Sequence, residues 1–262
     1  MTPTTEAPLL VERQGAVVTL CLNRPAALNA FDYTLAEAFY RAVKDISADA
    51  SVRAVVLRGA GKGFVAGGDL ATLRANPVQS ASEILTLLNE ALPLLAAMDA
   101  PLIAQVHGVA AGAGLSLMLL ADFILVAEGT RFAPAYIHLG TCCDMGMSWS
   151  LPRIVGLRRA LEITMLGEPF GTAEALQMGL INRVLPADAL EAATQELAQR
   201  LAAGPTLAYG ALRRLMRQSC EHSFAEQLDA EKQSFVRCMG TEDFRAGVEA
   251  FYARQRPSFQ AR

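Results

Sequence analysis

The chain has 262 residues, of which 52% are apolar and 19% charged, and its formal net charge is −3. That length buries a large core, and the apolar share predicts a folded chain rather than a disordered one. The slightly acidic balance gives no electrostatic case for a nucleic-acid partner.

The run 16–22 (AVVTLCL) reads as a β-strand that Asn23-Arg24-Pro25 ends. Asp32 is placed to cap a helix over 33–46, where Leu35, Phe39, Val43 and Ile46 fall near helical spacing. A second buried strand is expected over 52–58. The Gly59-Ala60-Gly61-Lys62-Gly63 run after it lacks the spacing of a phosphate-binding P-loop. Residues 64–70 (FVAGGDL) form a small-residue turn, with Asp69 readable as a helix cap. A helix is predicted over 82–98, kinked or interrupted at Pro93.

Residues 101–126 read as strand, glycine-rich turn, short apolar helix and strand. The span is apolar enough to suggest a membrane helix, but Gln105, His107, Asp122 and the glycines argue against one. Residues 132–146 show no clear period and read as a loop, and a long irregular run of this kind is often functional. Helices follow over 157–166, 172–178, 188–203, 206–220, 225–239 and 241–254, with a short strand over 181–185. The opening MTPTTEAPLL lacks the basic start and apolar run of a signal peptide.

Familiar constellations are mostly missing. His107, His138 and His222 lack metal-ligand spacing, and no GxSxG elbow or GxGxxG loop is present. Cys21, Cys142, Cys143, Cys220 and Cys238 are odd in number and lack CxxC spacing, so neither a disulfide framework nor a zinc site is expected. Reduced thiols in a cytoplasm are the simplest reading. The adjacent Cys142-Cys143 pair reads as reactive or, more commonly for such residues, as small buried hydrophobes. His107, just ahead of the glycine turn, reads as structural. The turn 108–114 (GVAAGAG) allows two readings. Its small residues let a helix cross a strand closely, or they expose N–H groups that stabilise developing negative charge.

Three stretches together carry a family resemblance: Leu22-Asn23-Arg24-Pro25 with Leu28-Asn29-Ala30, then 64–70, then His107 with 108–114. They resemble the enoyl-CoA hydratase/isomerase (crotonase) superfamily. Ala121-Asp122, 151–156 (LPRIVG) and 178–181 (MGLI) fall in matching order. The resemblance implies an α/β fold, with a ββα spiral core over 1–200 and a helical oligomerisation region over 201–262. It also implies an acyl-CoA thioester substrate, no metal or redox cofactor, no membrane, and a homotrimer or a dimer of trimers. Carried onto this sequence, the N–H groups of Gly68 and Ala113 would bind the thioester oxygen. Ala113 stands where many relatives have glycine, which is tolerable if its φ is negative. Arg24, the backbone of Ala27 and Leu28, and Ala66, Asp69 and Leu70 would meet coenzyme A. Arg254 or Arg256 would reach the nucleotide phosphates of a neighbouring subunit, or simply face solvent at a helix end.

Family hydratases use two glutamates, and the matching positions here are Ser116 and Tyr136. Neither supplies a carboxylate, so the usual hydration is not expected. Asp144 matches the aspartate of family isomerases, and also the nucleophile of the family's 4-chlorobenzoyl-CoA dehalogenases. The latter carry a tryptophan and a histidine base where this chain has Tyr136 and Asn89. The expectation is an enoyl-CoA isomerase with Asp144 as acid and base. The alternatives are another family activity, such as a hydratase, a hydrolase or a dehalogenase-like enzyme, or a non-catalytic acyl-CoA-binding member. For Asp144 itself, the competing role is to cap the helix that follows.

Overall fold

The computed structural model describes residues 7–262, so most of the run read for a signal peptide lies outside the described residues. In chain order the first elements are β1 (Leu9–Gln14), β2 (Val17–Leu22), α1 (Tyr33–Ser47), β3 (Ala54–Gly59), α2 (Leu70–Ala75) and α3 (Pro77–Ala97). Then come β4 (Leu102–Val106), β5 (Val109–Ala111), α4 (Ala113–Met118), β6 (Phe123–Ala127), β7 (Arg131–Ala133), α5 (Met147–Val155) and α6 (Leu157–Leu166). The chain ends with β8 (Phe170–Gly171), α7 (Thr172–Gln177), β9 (Arg183–Leu185), α8 (Leu190–Ala202), α9 (Thr206–Gln218), α10 (Phe224–Met239) and α11 (Glu242–Ala253).

The main sheet has the order β1-β2-β3-β4-β6-β9. All its pairings are parallel except that of the edge strand β1 with β2. Parallel strands covered on both faces read as unbroken apolar runs, which is why β2, β3 and β4 are visible in the sequence. Alternate residues serve two cores. Leu20, Leu57, Ala104 and Ile124 face α1 and α3, whereas Val17, Val56, Ile103 and Leu125 face α8.

A second layer is built from the turns. β5, β7 and β8 form a small sheet, and the bridges Phe31↔Gly68 and Val65↔Ala110 extend the same pattern. The cycles that start at β2, β3 and β4 thus each place a strand in the main sheet, a short extended piece in the second layer and a helix, and the β6–β7 cycle leads into α5 and α6. This is the ββα spiral of the crotonase fold.

Several local expectations change. The helix over 82–98 begins earlier, at Pro77, and runs through Pro93 without a break. Pro93 lies on the exposed face, and the buried stripe Ile84, Leu88, Ala91, Leu92 and Leu95 holds the helix together. The loop over 132–146 contains the end of β7 and a 3-10 turn at Ala135–Leu139. Phe132 anchors β7 by stacking on Phe170 at 5.4 Å. Cys142 is exposed, whereas half-buried Cys143 packs against the main core, so only Cys143 takes the role of a small hydrophobe.

Polar contacts tie α9 to the spiral, with Asp99 pairing to Arg214 at 2.7 Å and Asp122 at the centre. Asp122 accepts the N–H of Leu102 at 2.8 Å and pairs with Arg213 at 2.6 Å and Arg217 at 2.9 Å, both on α9. Among the described residues no helix is long and apolar enough to cross a membrane.

Candidate active site

Two turns meet at the centre of the second layer. Phe31 gives its N–H to Gly67 O and takes that of Asp69 on its own carbonyl, at 2.8 and 2.9 Å. Strand alternation turns the intervening Gly68 N–H to the other side, where it has no protein acceptor among the described residues. The second turn comes from β5. Gly112 adopts φ +48° and donates to Ala133 O, and Ala113 opens α4. The first N–H groups of a helix have no partner inside it, and that of Ala113 finds none elsewhere among the described residues. Ala113 is not among the positive-φ residues, so alanine fits there without strain.

The turns are in close contact, which settles why they are so rich in small residues. A Cβ on Gly112 would stand 3.6 Å from the Cα of Gly67, and one on Gly114 only 2.1 Å from Val65 O. The two readings of the glycine-rich turn are therefore not exclusive. The small side chains permit the crossing, and the crossing exposes the two N–H groups.

Gly68, Ala113 and Asp144 line one cavity of about 60 Å³, whose other walls are Phe31, Leu73, Ala81, Ile84, Leu85, Leu88 and Met145. Asp144 is its one charged side chain. Burial pushes its carboxyl above the ordinary range, and a hydrogen bond from Tyr136 opposes the shift without cancelling it. The Tyr136 O–H donates to Asp144 Oδ1 at 2.5 Å, and Ser116 Oγ lies 2.8 Å from the same phenol oxygen. Ser116 is buried and also reaches Gly112 O at 3.3 Å. Burial, then the neighbouring Asp144 charge, pushes the Tyr136 phenol well above its ordinary range, so it stays protonated as a donor.

The capping role considered for Asp144 is not what its side chain does. The helix after it, α5, starts at Gly146 without a side-chain cap, and only the Asp144 carbonyl bonds to Met147 N–H. Asp69, in contrast, does cap α2 through the N–H groups of Ala71 and Thr72. Burial works against the Asp69 carboxylate, but Arg24 and those N–H groups outweigh it and hold its carboxyl below the usual range.

The residues expected around coenzyme A gather at one rim. Ala66 N–H bonds to Leu28 O at 3.0 Å, and Leu28, with φ +48°, ends the one-turn helix Pro25–Ala27. Leu70 is exposed. The Arg24 guanidinium is already engaged with Asp69 at 2.8 Å, Asp32 at 3.0 Å and Ala30 O at 2.5 Å, so it braces the caps of α1 and α2. Buried Asn29 holds the 60–64 loop by donating to the carbonyls of Ala60, Gly63 and Phe64. Arg254 and Arg256 are exposed beyond α11. His107 bonds to Gly61 O at 2.9 Å, which suits its structural reading. Among the described residues no cluster of His, Cys, Asp and Glu could hold a metal ion.

The sequence reading missed the apolar wall. Ile84, Leu85 and Leu88 sit on α3, where their helical spacing was visible but their partner was not. It also missed a larger cavity of about 480 Å³, lined by Asn89, Leu92, Pro93, Trp149 and others, which shares Met145 with the small one. Asn89, standing where the dehalogenases keep a histidine, belongs to this second cavity and not to the one around Asp144.

Comparisons with known proteins give the family. The family profile described as enoyl-CoA hydratase/isomerase matches residues 12–262. The chain belongs to the enoyl-CoA hydratase/isomerase family. It is 34% identical over 256 residues to a 1,2-epoxyphenylacetyl-CoA isomerase of Escherichia coli (strain K12), covering 96% of this chain and 97% of that one. It is 31% identical over 255 residues to a trans-2-decenoyl-[acyl-carrier-protein] isomerase of Streptococcus mutans, covering 96% and 97%. The crystal structure of a putative enoyl-CoA hydratase from Streptomyces coelicolor A3(2) superposes with a TM-score of 0.92 at 32% identity, covering 100% of this chain and 98% of that one. Family members of this similarity thus carry both isomerase and hydratase names.

Proposed function

We propose that the protein is an enoyl-CoA isomerase, which moves a double bond of an acyl-CoA thioester from the 3,4 to the 2,3 position. The observation that carries this reading is a single carboxylate, Asp144, lining one cavity with Gly68 and Ala113, whose N–H groups have no protein acceptor among the described residues. Asp144 takes a proton from C2, and the electrons of the broken C–H bond move toward the thioester carbonyl. The resulting dienolate carries its negative charge on oxygen, between the two N–H donors. Each such donor is worth roughly 3–4 kcal/mol of transition-state stabilisation. Asp144 then returns the proton to C4, the carbonyl re-forms, and the double bond is left between C2 and C3. One carboxylate suffices because the proton removed is the proton returned.

Hydration needs two acid/base groups to handle water, and the positions matching the hydratase glutamates carry Ser116 and Tyr136, whose phenol stays protonated. Coenzyme A is proposed to lie against the rim of Ala27, Leu28, Ala66 and Leu70, with Arg24 and Asp69 bracing it from below. No cofactor is proposed beyond the coenzyme A of the substrate. Exposed Phe224, Phe235, Phe251 and Tyr252 on α10 and α11 favour assembly into a trimer or a dimer of trimers.

The test is incubation with trans-3-hexenoyl-CoA and trans-2-hexenoyl-CoA, following conjugation and water addition separately. Isomerisation without hydration is expected. Hydration of the 2-enoyl ester without isomerisation of the 3-enoyl ester overturns the reading.

A further inference from the structure

The cavity accounts for Asp144 but not for the pair beside it, buried Ser116 and half-buried Tyr136. Ser116 and Tyr136 do not line the cavity, yet they form an unbroken hydrogen-bonded chain that ends on Asp144 Oδ1. Oδ2 accepts nothing from another residue among the described ones. The Tyr136 ring also lies against the donor turn, since a Cβ on Gly112 would be 3.9 Å from its Cζ. Gly112 immediately precedes Ala113, so one side chain touches both the base and the turn that presents a proposed oxyanion donor.

Resting on the isomerase reading above, we propose that Tyr136 is the positioning residue of the site: anchored by Ser116 and packed on Gly112, it holds Asp144 by Oδ1 and leaves Oδ2 to meet the substrate. A free carboxylate rotates about its side-chain torsions, and either oxygen can swing away from the reacting carbon. Clamping one oxygen removes that freedom and sets the distance between base and oxyanion donors. A displacement of about 1 Å at a reacting group costs on the order of a hundredfold in rate. The phenol suits this role because it remains a donor, so Asp144 is never offered a competing negative charge. No other charged side chain lines the cavity to take its place.

The test compares wild type with Tyr136→Phe, Ser116→Ala and Asp144→Asn, using trans-3-hexenoyl-CoA. For Tyr136→Phe, kcat is expected to fall by roughly ten- to a hundredfold, the scale of one lost hydrogen bond to a charged group. KM should stay near the wild-type value. The acid limb of the kcat profile should move to higher pH, because the bond that opposes the effect of burial on Asp144 is gone. Ser116→Ala keeps the phenol and removes its anchor, so a smaller change in the same direction is expected, and it carries the test if Tyr136→Phe does not fold. An unchanged pH profile and kcat in these variants, beside an inactive Asp144→Asn, overturns the positioning role alone. Retained isomerisation by Asp144→Asn overturns the base assignment and this proposal with it.

Discussion

Replacing Ala113 by proline deletes a proposed oxyanion donor and little else. Ala113 is the first residue of α4, the helix position at which proline is best accommodated. Its N–H bonds to no protein group among the described residues, so the fold loses no hydrogen bond. The added ring carbons enter the cavity of about 60 Å³ that Ala113 borders. Crowding of this kind costs about 1–3 kcal/mol, which lowers Tm by roughly 2–4 °C per kcal/mol in a chain of this size. The catalytic loss is of a different order. Without one donor, kcat should fall about a hundred- to a thousandfold, and KM should rise because the ring stands where the thioester oxygen would lie. Ala113→Gly keeps the N–H and is the control, with a rate near wild type and a stability cost of about 1 kcal/mol or less. The assay is initial-rate conjugation of trans-3-hexenoyl-CoA alongside thermal melting. A folded Ala113→Pro enzyme that turns over near the wild-type rate refutes the role of this N–H.

Asp122→Ala leaves Arg213 buried without its carboxylate and frees Arg217 and the Leu102 N–H, so a loss of about 3–5 kcal/mol is expected in chemical denaturation. Met145 lines both the small cavity and the larger one, and Met145→Ala should raise kcat/KM for long-chain 3-enoyl-CoA relative to short-chain in a chain-length series. Light scattering is expected to give the mass of three or six chains, and a monomer at micromolar concentration contradicts the assembly proposed from α10 and α11.

What the sequence made legible follows from how each element is stabilised. β2, β3 and β4 are buried on both faces and therefore appear as apolar runs, whereas β1 is an exposed edge of mixed polarity with no run to find. α1 was visible from its stripe and from Asp32, whose carboxylate accepts the Leu35 N–H at 2.9 Å as the cap requires. The helix α3 is not interrupted at Pro93 because the local rule against proline was outweighed by a buried face that only the fold supplies. The juxtaposition of Gly68 with Ala113 was reachable through family resemblance alone, since nothing local links two turns so far apart in the chain. The Tyr136–Asp144 contact was beyond reach for another reason: it spans an irregular segment, and without a period there is no rule for which side chains meet.

Asp144 ties function to stability with opposite signs, and this can be measured. Its folded-state pKa lies above the ordinary 3.8, with burial as the main cause. Between those two values the folded chain holds more protons than the unfolded one, so stability falls as pH rises through that window. Above the folded-state value the full cost is present, and the carboxylate is ionised in a place that favours its neutral form. Asp144→Asn keeps an acceptor for the Tyr136 O–H and removes that cost. The variant is therefore expected to be inactive as an isomerase and more stable than wild type at neutral pH, the advantage shrinking as pH falls toward 3.8. Wild-type activity should decline over the same window as its base becomes protonated. Thermal melts of both proteins across that range test the coupling. If Asp144→Asn melts below wild type at neutral pH, the Asp144 carboxylate is a structural support, and burial is not the dominant influence on it.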